Sequence, residues 1–170
     1  MEILIAGIIV VALMVWASTR IKRSAAAAFG AETIETPQFV IQKPDGWLSV
    51  VEPRDSHLFE AYTKEFGSAP NENVRLGNAF VDIRDGTIDE IAEREMSDSD
   101  VTDDIREVVA DRHYRVVEIA RTEDDLDRIE WLKFADAEGK VYTFRVKVLA
   151  DATEEFKRDI EAMIDSFEIK

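Results

Sequence analysis

The longest apolar run comes first. Ile3 to Ala17 reads ILIAGIIVVALMVWA, without one polar side chain. With Ser18 and Thr19 it reaches roughly the 17 to 25 residues that a bilayer helix needs. Ile3, Leu4, Ile5, Ile8, Ile9, Val10, Val11, Leu13, Val15 and Trp16 are the anchoring positions. The pattern predicts one transmembrane helix in residues 1–23. A cleaved signal peptide carries its basic residues ahead of the apolar run. Here only Glu2 precedes it, and Arg20, Lys22 and Arg23 follow. The positive-inside rule then puts the N-terminus outside and the remainder in the cytoplasm of a single-pass cell-membrane protein. An extracytoplasmic domain is the alternative.

Residues 24–37 (SAAAAFGAETIETP) read as a tether, and residues 38–170 as a soluble domain. Gln38 to Gln42 alternates as a strand, with Phe39 and Ile41 on one face. Pro44-Asp45-Gly46 is a turn, followed by an extended piece from Trp47 to Val51. Leu58, Phe59, Tyr62 and Phe66 make a helical stripe over His57 to Phe66, with Asp55-Ser56 as cap and Gly67 at the end. Asn78 to Arg84 is a strand. Thr87-Ile88-Asp89-Glu90 is a capping box opening a helix to Met96. A second helix, Val101 to Asp111, would bury Val101, Ile105, Val108 and Val109, with Asp103 and Asp104 favoured in its first turn by the helix dipole.

The strongest β pattern follows. Tyr114 to Arg121, Leu126 to Ala135 and Val141 to Ala150 form a meander. In the last, Tyr142, Phe144, Val146 and Val148 oppose Thr143, Arg145 and Lys147, as in a half-buried strand. Asp151 with Glu154 would cap a final helix whose stripe is Phe156, Ile160, Met163, Ile164 and Phe167. Phe167 to Ile169 closes the chain as a short strand. The order is that of an α+β domain, an antiparallel sheet with helices packed on it.

Charge narrows the partners. The chain has 36 acidic and 21 basic residues, for a net charge of −15. Residues 1–23 carry +2, leaving −17 for the rest. Nucleic acid is excluded as a partner, because phosphate contacts need clustered Lys and Arg. The domain is repelled by an anionic leaflet, so its natural partner is a basic or mixed protein surface. Cysteine is absent, which removes disulfides, thiolate catalysis and a lipidated Cys anchor.

Candidate chemistry is sparse. No G-x-S-x-G, H-E-x-x-H, G-x-G-x-x-G or phosphate-loop motif occurs. His57 and Glu60 stand at i, i+3 on the expected helix, short of the three or four ligands of a metal site. His113 has no evident partner. Asp98, Asp100, Asp103 and Asp104 fail the EF-hand order, which needs Gly where Asp103 stands and Glu where Val109 stands. No catalytic residue, metal or cofactor is assigned. Trp47 and Trp131 are the candidate partner-binding residues if exposed, and core aromatics otherwise.

Phe39-Val-Ile-Gln-Lys-Pro44-Asp-Gly46-Trp47, with the closing helix and Ser166-Phe167-Glu168-Ile169, resembles PsbP-like domains. The resemblance spans residues 38–170. It implies an α/β/α sandwich around an antiparallel sheet and a non-enzymatic, membrane-associated accessory or binding module. DcrB-type members of that group are anchored through a lipidated Cys, which this chain lacks. The combined expectation is a single-pass protein whose domain binds another protein in a membrane complex. A tethered small-molecule or ion-sensing domain is the second reading.

Overall fold

The fold is described from a computed structural model covering residues 13–20, 27–53, 57–68 and 71–170. Among the described residues ten strands and two helices make up the body of the domain. β1 (Glu32–Glu35), β2 (Phe39–Lys43), β3 (Trp47–Ser49), β4 (Phe59–Thr63) and β5 (Gly77–Asp85) precede α1 (Ile88–Met96). β6 (Asp100–Val109), β7 (Arg112–Glu123), β8 (Leu126–Ala137) and β9 (Lys140–Leu149) follow. A short 3-10 turn, Ala150–Ala152, leads into α2 (Thr153–Ser166), and β10 (Glu168–Ile169) ends the chain.

β3 to β9 form a seven-stranded antiparallel sheet in the order β3-β4-β5-β9-β8-β7-β6, and β1-β2-β10 form a small second sheet. The four strands β6 to β9 are joined by three two-residue hairpins. Ala110-Asp111, Asp124-Asp125 and Glu138-Gly139 all have positive φ at both positions. Paired left-handed residues match the twist of the flanking strands, which is why such short turns close a hairpin.

The main core lies between one face of the large sheet and a cover made of α2 and the small sheet. Phe167 stacks on Phe144 and Phe39 at 5.2 and 6.0 Å between centroids, and Trp47 meets Phe156 edge-on at 6.2 Å. Ile160 and Met163 of α2 are fully buried there. On the opposite face α1 packs Ile91 and Ala92 against Val117, Ile119, Leu132, Phe134 and Val141. The expected capping box is present: Thr87 Oγ1 accepts from Glu90 N–H, and Glu90 Oε2 accepts from Thr87 N–H.

Several expectations are corrected. His57 to Phe66 is not a helix. Phe59, Ala61 and Thr63 alternate inward along β4, while Leu58 and Phe66 stay exposed at 38% and 47%. The four-residue spacing of Leu58, Tyr62 and Phe66 mimicked a stripe, but the Phe59-Ala61-Thr63 period of two won the packing against Ala79 and Val81.

Val101 to Asp111 is likewise no helix but β6, at the sheet edge. A two-residue turn returns the chain to β7, and a bulge between Val101 and Asp103 shifts the phase of its apolar residues. Asp103 and Asp104 therefore cap nothing. β9 is buried on both faces, with Thr143 and Arg145 nearly inaccessible, rather than half-buried. Asp151 does not cap the last helix: its N-cap is Ala152, without a side-chain bond.

The folded body also starts before residue 38. β1 pairs with β2 from within the stretch read as a tether. Ahead of it, the Phe29 carbonyl accepts from Gly46 N–H, and the Gly30 carbonyl accepts from Lys43 Nζ.

Residues 13–20 are helical, with Leu13, Val15 and Trp16 exposed and the Arg20 guanidinium 5.3 Å from the Trp16 ring. Ile3, Leu4, Ile5, Ile8, Ile9, Val10, Val11, Lys22 and Arg23 lie outside the described residues. Among the described residues no helix is long and apolar enough to cross a membrane.

Candidate functional site

The two tryptophans part company. Trp47 is fully buried, so it offers a partner nothing and the exposed-pair expectation fails for it. It sits over Gly77, where an added Cβ would lie 3.0 Å from its ring, and this close approach is what calls for glycine. Trp131 is half-buried at the rim of the main core. Its indole N–H donates to Glu118 Oε2 at 2.8 Å, and Thr102 Oγ1 donates to the Glu118 carbonyl at 3.1 Å. Trp131, Glu118, Glu154, Lys157 and Glu161 bound a small cleft of about 130 Å³.

His57 and Glu60 do not share a helix face. His57 Nδ1 instead pairs with Asp82 Oδ1, and its ring lies 4.5 Å from that of Phe80. The contact ties the segment ahead of β4 to β5. Ser56, the adjacent hydroxyl in sequence, lies outside the described residues. His113 stands on β7 beside Val108, far along the sheet from this pair. Among the described residues no group of three or more His, Cys, Asp or Glu side chains is placed to hold a metal ion. Asp98 and Asp100 instead border an open polar cavity of about 370 Å³ with Arg121, Asp127 and Arg128.

Asp82 also opens a chain of charges that sequence reading missed. Arg84 lies 3.9 Å from Asp82 and 2.5 Å from Glu95 of α1. Arg145 binds Glu95 and, at 3.2 Å, Glu130. Glu130 is fully buried, with Lys147 at 3.2 Å and Arg121 at 3.6 Å. Lys147 continues to Glu123 at 3.1 Å.

Burial would raise the Glu95 carboxyl, but Arg145 and Arg84 outweigh it and hold the group below the usual glutamate range. The Lys147 ammonium lowers Glu123 in the same way. One signal was legible: Arg145 and Lys147 alternate with core residues on a central strand, where an unpaired cation is costly.

The surface feature that stands apart is β6. Asp104 accepts two bonds from Arg115, at 2.9 and 2.7 Å, and these lower its carboxyl and raise the guanidinium. Glu107 pairs with Lys133 at 3.1 Å. Between these ties Val101, Ile105, Val108 and Val109 remain exposed at 46, 50, 61 and 38%. Val101, Asp104, Arg106 and Val108 lie on the α1 side of the sheet; Asp103, Ile105, Glu107 and Val109 lie on the α2 side. Reading Val101 to Val109 as a buried helix face hid this strip.

A seven-stranded antiparallel sheet with helices on both faces and a small sheet at its flank defines an α+β domain of the PsbP-like fold. The cyanobacterial PsbP (CyanoP) of Synechocystis sp. PCC 6803 superimposes with a TM-score of 0.61 at 15% identity, covering 84% of this chain and 94% of that one. LpqN of Mycobacterium tuberculosis, involved in cell envelope biogenesis, gives 0.60 at 12% identity, covering 83% and 91%. A Pseudomonas aeruginosa protein of unknown function, PA94, gives 0.51 at 7% identity, covering 77% and 91%. No family model and no curated relative matches the sequence. The likeness is one of fold.

Proposed function

We propose that this chain is a membrane-anchored, non-enzymatic protein-binding module, an accessory or assembly subunit of a membrane protein complex. The observation that carries the reading is β6: four exposed branched apolar residues gathered on one strand of a domain whose surface is otherwise highly charged. Exposed apolar patches on such domains mark interaction sites. The apolar run of residues 3–17, followed by Arg20, Lys22 and Arg23, supports an N-terminal anchor with the domain on the cytoplasmic side. LpqN, a neighbour in fold, works in envelope biogenesis, a setting that suits an anchored domain.

The test is mild solubilisation of the tagged full chain from its own membranes, followed by native electrophoresis and mass spectrometry. A stoichiometric complex that Val108→Asp dissolves, with the thermal midpoint unchanged, is the expected result. Migration as a lone chain overturns the reading. Weight then shifts to ligand sensing, for which the open cavity beside Arg121 and Arg128 is the place to look.

A further inference from the structure

We propose that the free edge of β6 accepts an extended, basic segment of another protein as an eighth strand of the large sheet. The inference rests on the protein-binding reading and names the mode of binding and the chemistry of the partner. Among the described residues β6 is the terminal strand and pairs with β7 alone, so every second residue turns its N–H and C=O outward; of these the Asp104 N–H donates to Asp103 Oδ1. Unsatisfied edges of this kind are templates for strand addition, and proteins normally blunt them with short strands, Pro, bulges or charged side chains, Lys above all. The opposite edge is blunted by length: β3 has three residues. β6 has ten, without Pro or Lys; its bulge, between Val101 and Asp103, leaves Asp103 to Val109 in regular register, and its charges there are acidic apart from Arg106. Its apolar side chains extend both layers, Ile105 and Val109 on the α2 side and Val108 on the α1 side. Between Val108 and Ile88 of α1 opens a groove of about 250 Å³, which an added strand would roof with alternate side chains.

Charge selects the occupant. β6 carries Asp100, Asp103, Asp104 and Glu107 against Arg106 alone. A second copy would bring the same carboxylates to the same edge in a chain already at −15, and like charges across strands are destabilising. Arg115 and Lys133 already hold Asp104 and Glu107. Asp103 accepts only from the Asp104 N–H, and Asp100 has no ion-pair partner among the described residues. A strand alternating Lys or Arg with branched apolar residues meets both requirements, because its two faces differ: cations against Asp100 and Asp103 on the α2 side, apolar groups against Val108 and the groove beside Ile88 on the α1 side.

The full chain in detergent or nanodiscs is titrated with three labelled peptides matched to β6 in length. One alternates Lys with Val, one alternates Glu with Val, and one is the Lys–Val peptide N-methylated at alternate amides. The Lys–Val peptide is expected to bind at least about tenfold more tightly than either of the others. It should also slow amide exchange in β6 and lose affinity in added salt. Equal binding of the N-methylated peptide overturns strand addition, because side chains alone would then suffice. Binding without slowed exchange in β6, or no binding at millimolar peptide, also overturns it. A chain that dimerises with β6 amides protected assigns the edge to a second copy and overturns the basic partner. Should the native complex survive Val108→Asp, protein binding stands and the edge mode falls. Should no complex exist at all, the underlying reading falls with it.

Discussion

At the scale of single residues, burial and contact decide what a side chain is for. Trp47 shows the strongest case. It fills the core between Gly77 and Phe156, and its indole Nε1 has no hydrogen-bond partner among the described residues. Trp47→Ala should cost about 3–5 kcal/mol in urea unfolding. Trp47→Phe should cost clearly less, because it removes a buried donor that makes no bond. Gly77→Ala should cost roughly 1–3 kcal/mol, since the new methyl meets Trp47, Thr63 and Val148 at once. A neutral Gly77→Ala would show that the Trp47 ring moves freely, contrary to its packing.

Glu130 is the polar counterpart. With Arg145, Lys147 and Arg121 around a fully buried carboxylate, Glu130→Ala strands cations and should cost about 3–5 kcal/mol. Lys170→Ala, which breaks only the exposed pair with Glu35, should leave the unfolding midpoint unchanged. Similar midpoints for the two variants would mean that the Glu130 network contributes nothing.

At the scale of elements, α1 is held by its cap and by one acid. Thr87→Ala should remove about 0.5–2 kcal/mol and speed amide exchange in the first turn of the helix. Glu95 ties the same helix to Arg84 and Arg145 of the sheet. Its folded pKa lies below the ordinary value of 4.5, so its contribution is complete above that pH. The contribution is lost as pH falls from 4.5 toward the depressed folded value. Glu95→Gln should therefore lower stability at neutral pH and flatten the acid side of the stability profile below pH 4.5. An unchanged slope, measured by denaturant titration across that range, would remove Glu95 from the linkage.

The elements also show where periodicity misleads. β5, β7, β8 and β9 were legible because each has a continuous inward face: Ala79 and Val81, or Phe144, Val146 and Val148, fall two apart. β6 was not, because an edge strand exposed on both faces is under no pressure to alternate. Its apolar residues at 101, 105, 108 and 109 then coincide with a helical spacing. β4 was misread for a related reason. Thr63 and Ala61, its inward residues beside Phe59, carry too little hydrophobic signal to outweigh Leu58, Tyr62 and Phe66.

At the scale of the whole molecule, the small sheet decides where the domain begins. β1 adds a strand to β2, and the Phe29 and Gly30 carbonyls accept bonds from Gly46 and Lys43. A fragment starting at Gln38 should unfold at lower temperature than one starting at Ala27, by calorimetry; equal midpoints would make β1 dispensable. The consequence for function is reach. If residues 1–23 anchor the chain, little of the supposed tether is left as spacer, and the domain works close to the bilayer. Carbonate extraction should leave the full chain in the membrane fraction. A C-terminal phosphatase fusion should be inactive and a fluorescent fusion bright; the reverse pattern would move the domain to the other side.

The candidate site was legible in part. Of the two tryptophans singled out, Trp131 is half-buried against the core, and Trp47 is fully buried because its strand position, opposite Thr63, faces α2. The Glu95–Arg145–Glu130 chain joins residues from α1, β8 and β9; the alternation of Arg145 and Lys147 with core residues marks buried cations, but no local spacing names their partners. What the sequence determined by itself was whatever depends on neighbours along the chain. That includes the apolar N-terminal run and its basic flank, the Thr87 capping box, the meander read from Tyr114 to Ala150, and the stripe of α2. Only the tertiary structure decided what depends on neighbours across space. It set which strand became an edge, which tryptophan lost its solvent, and which charges found partners, because burial and exposure belong to the packed sheet and not to any segment of it.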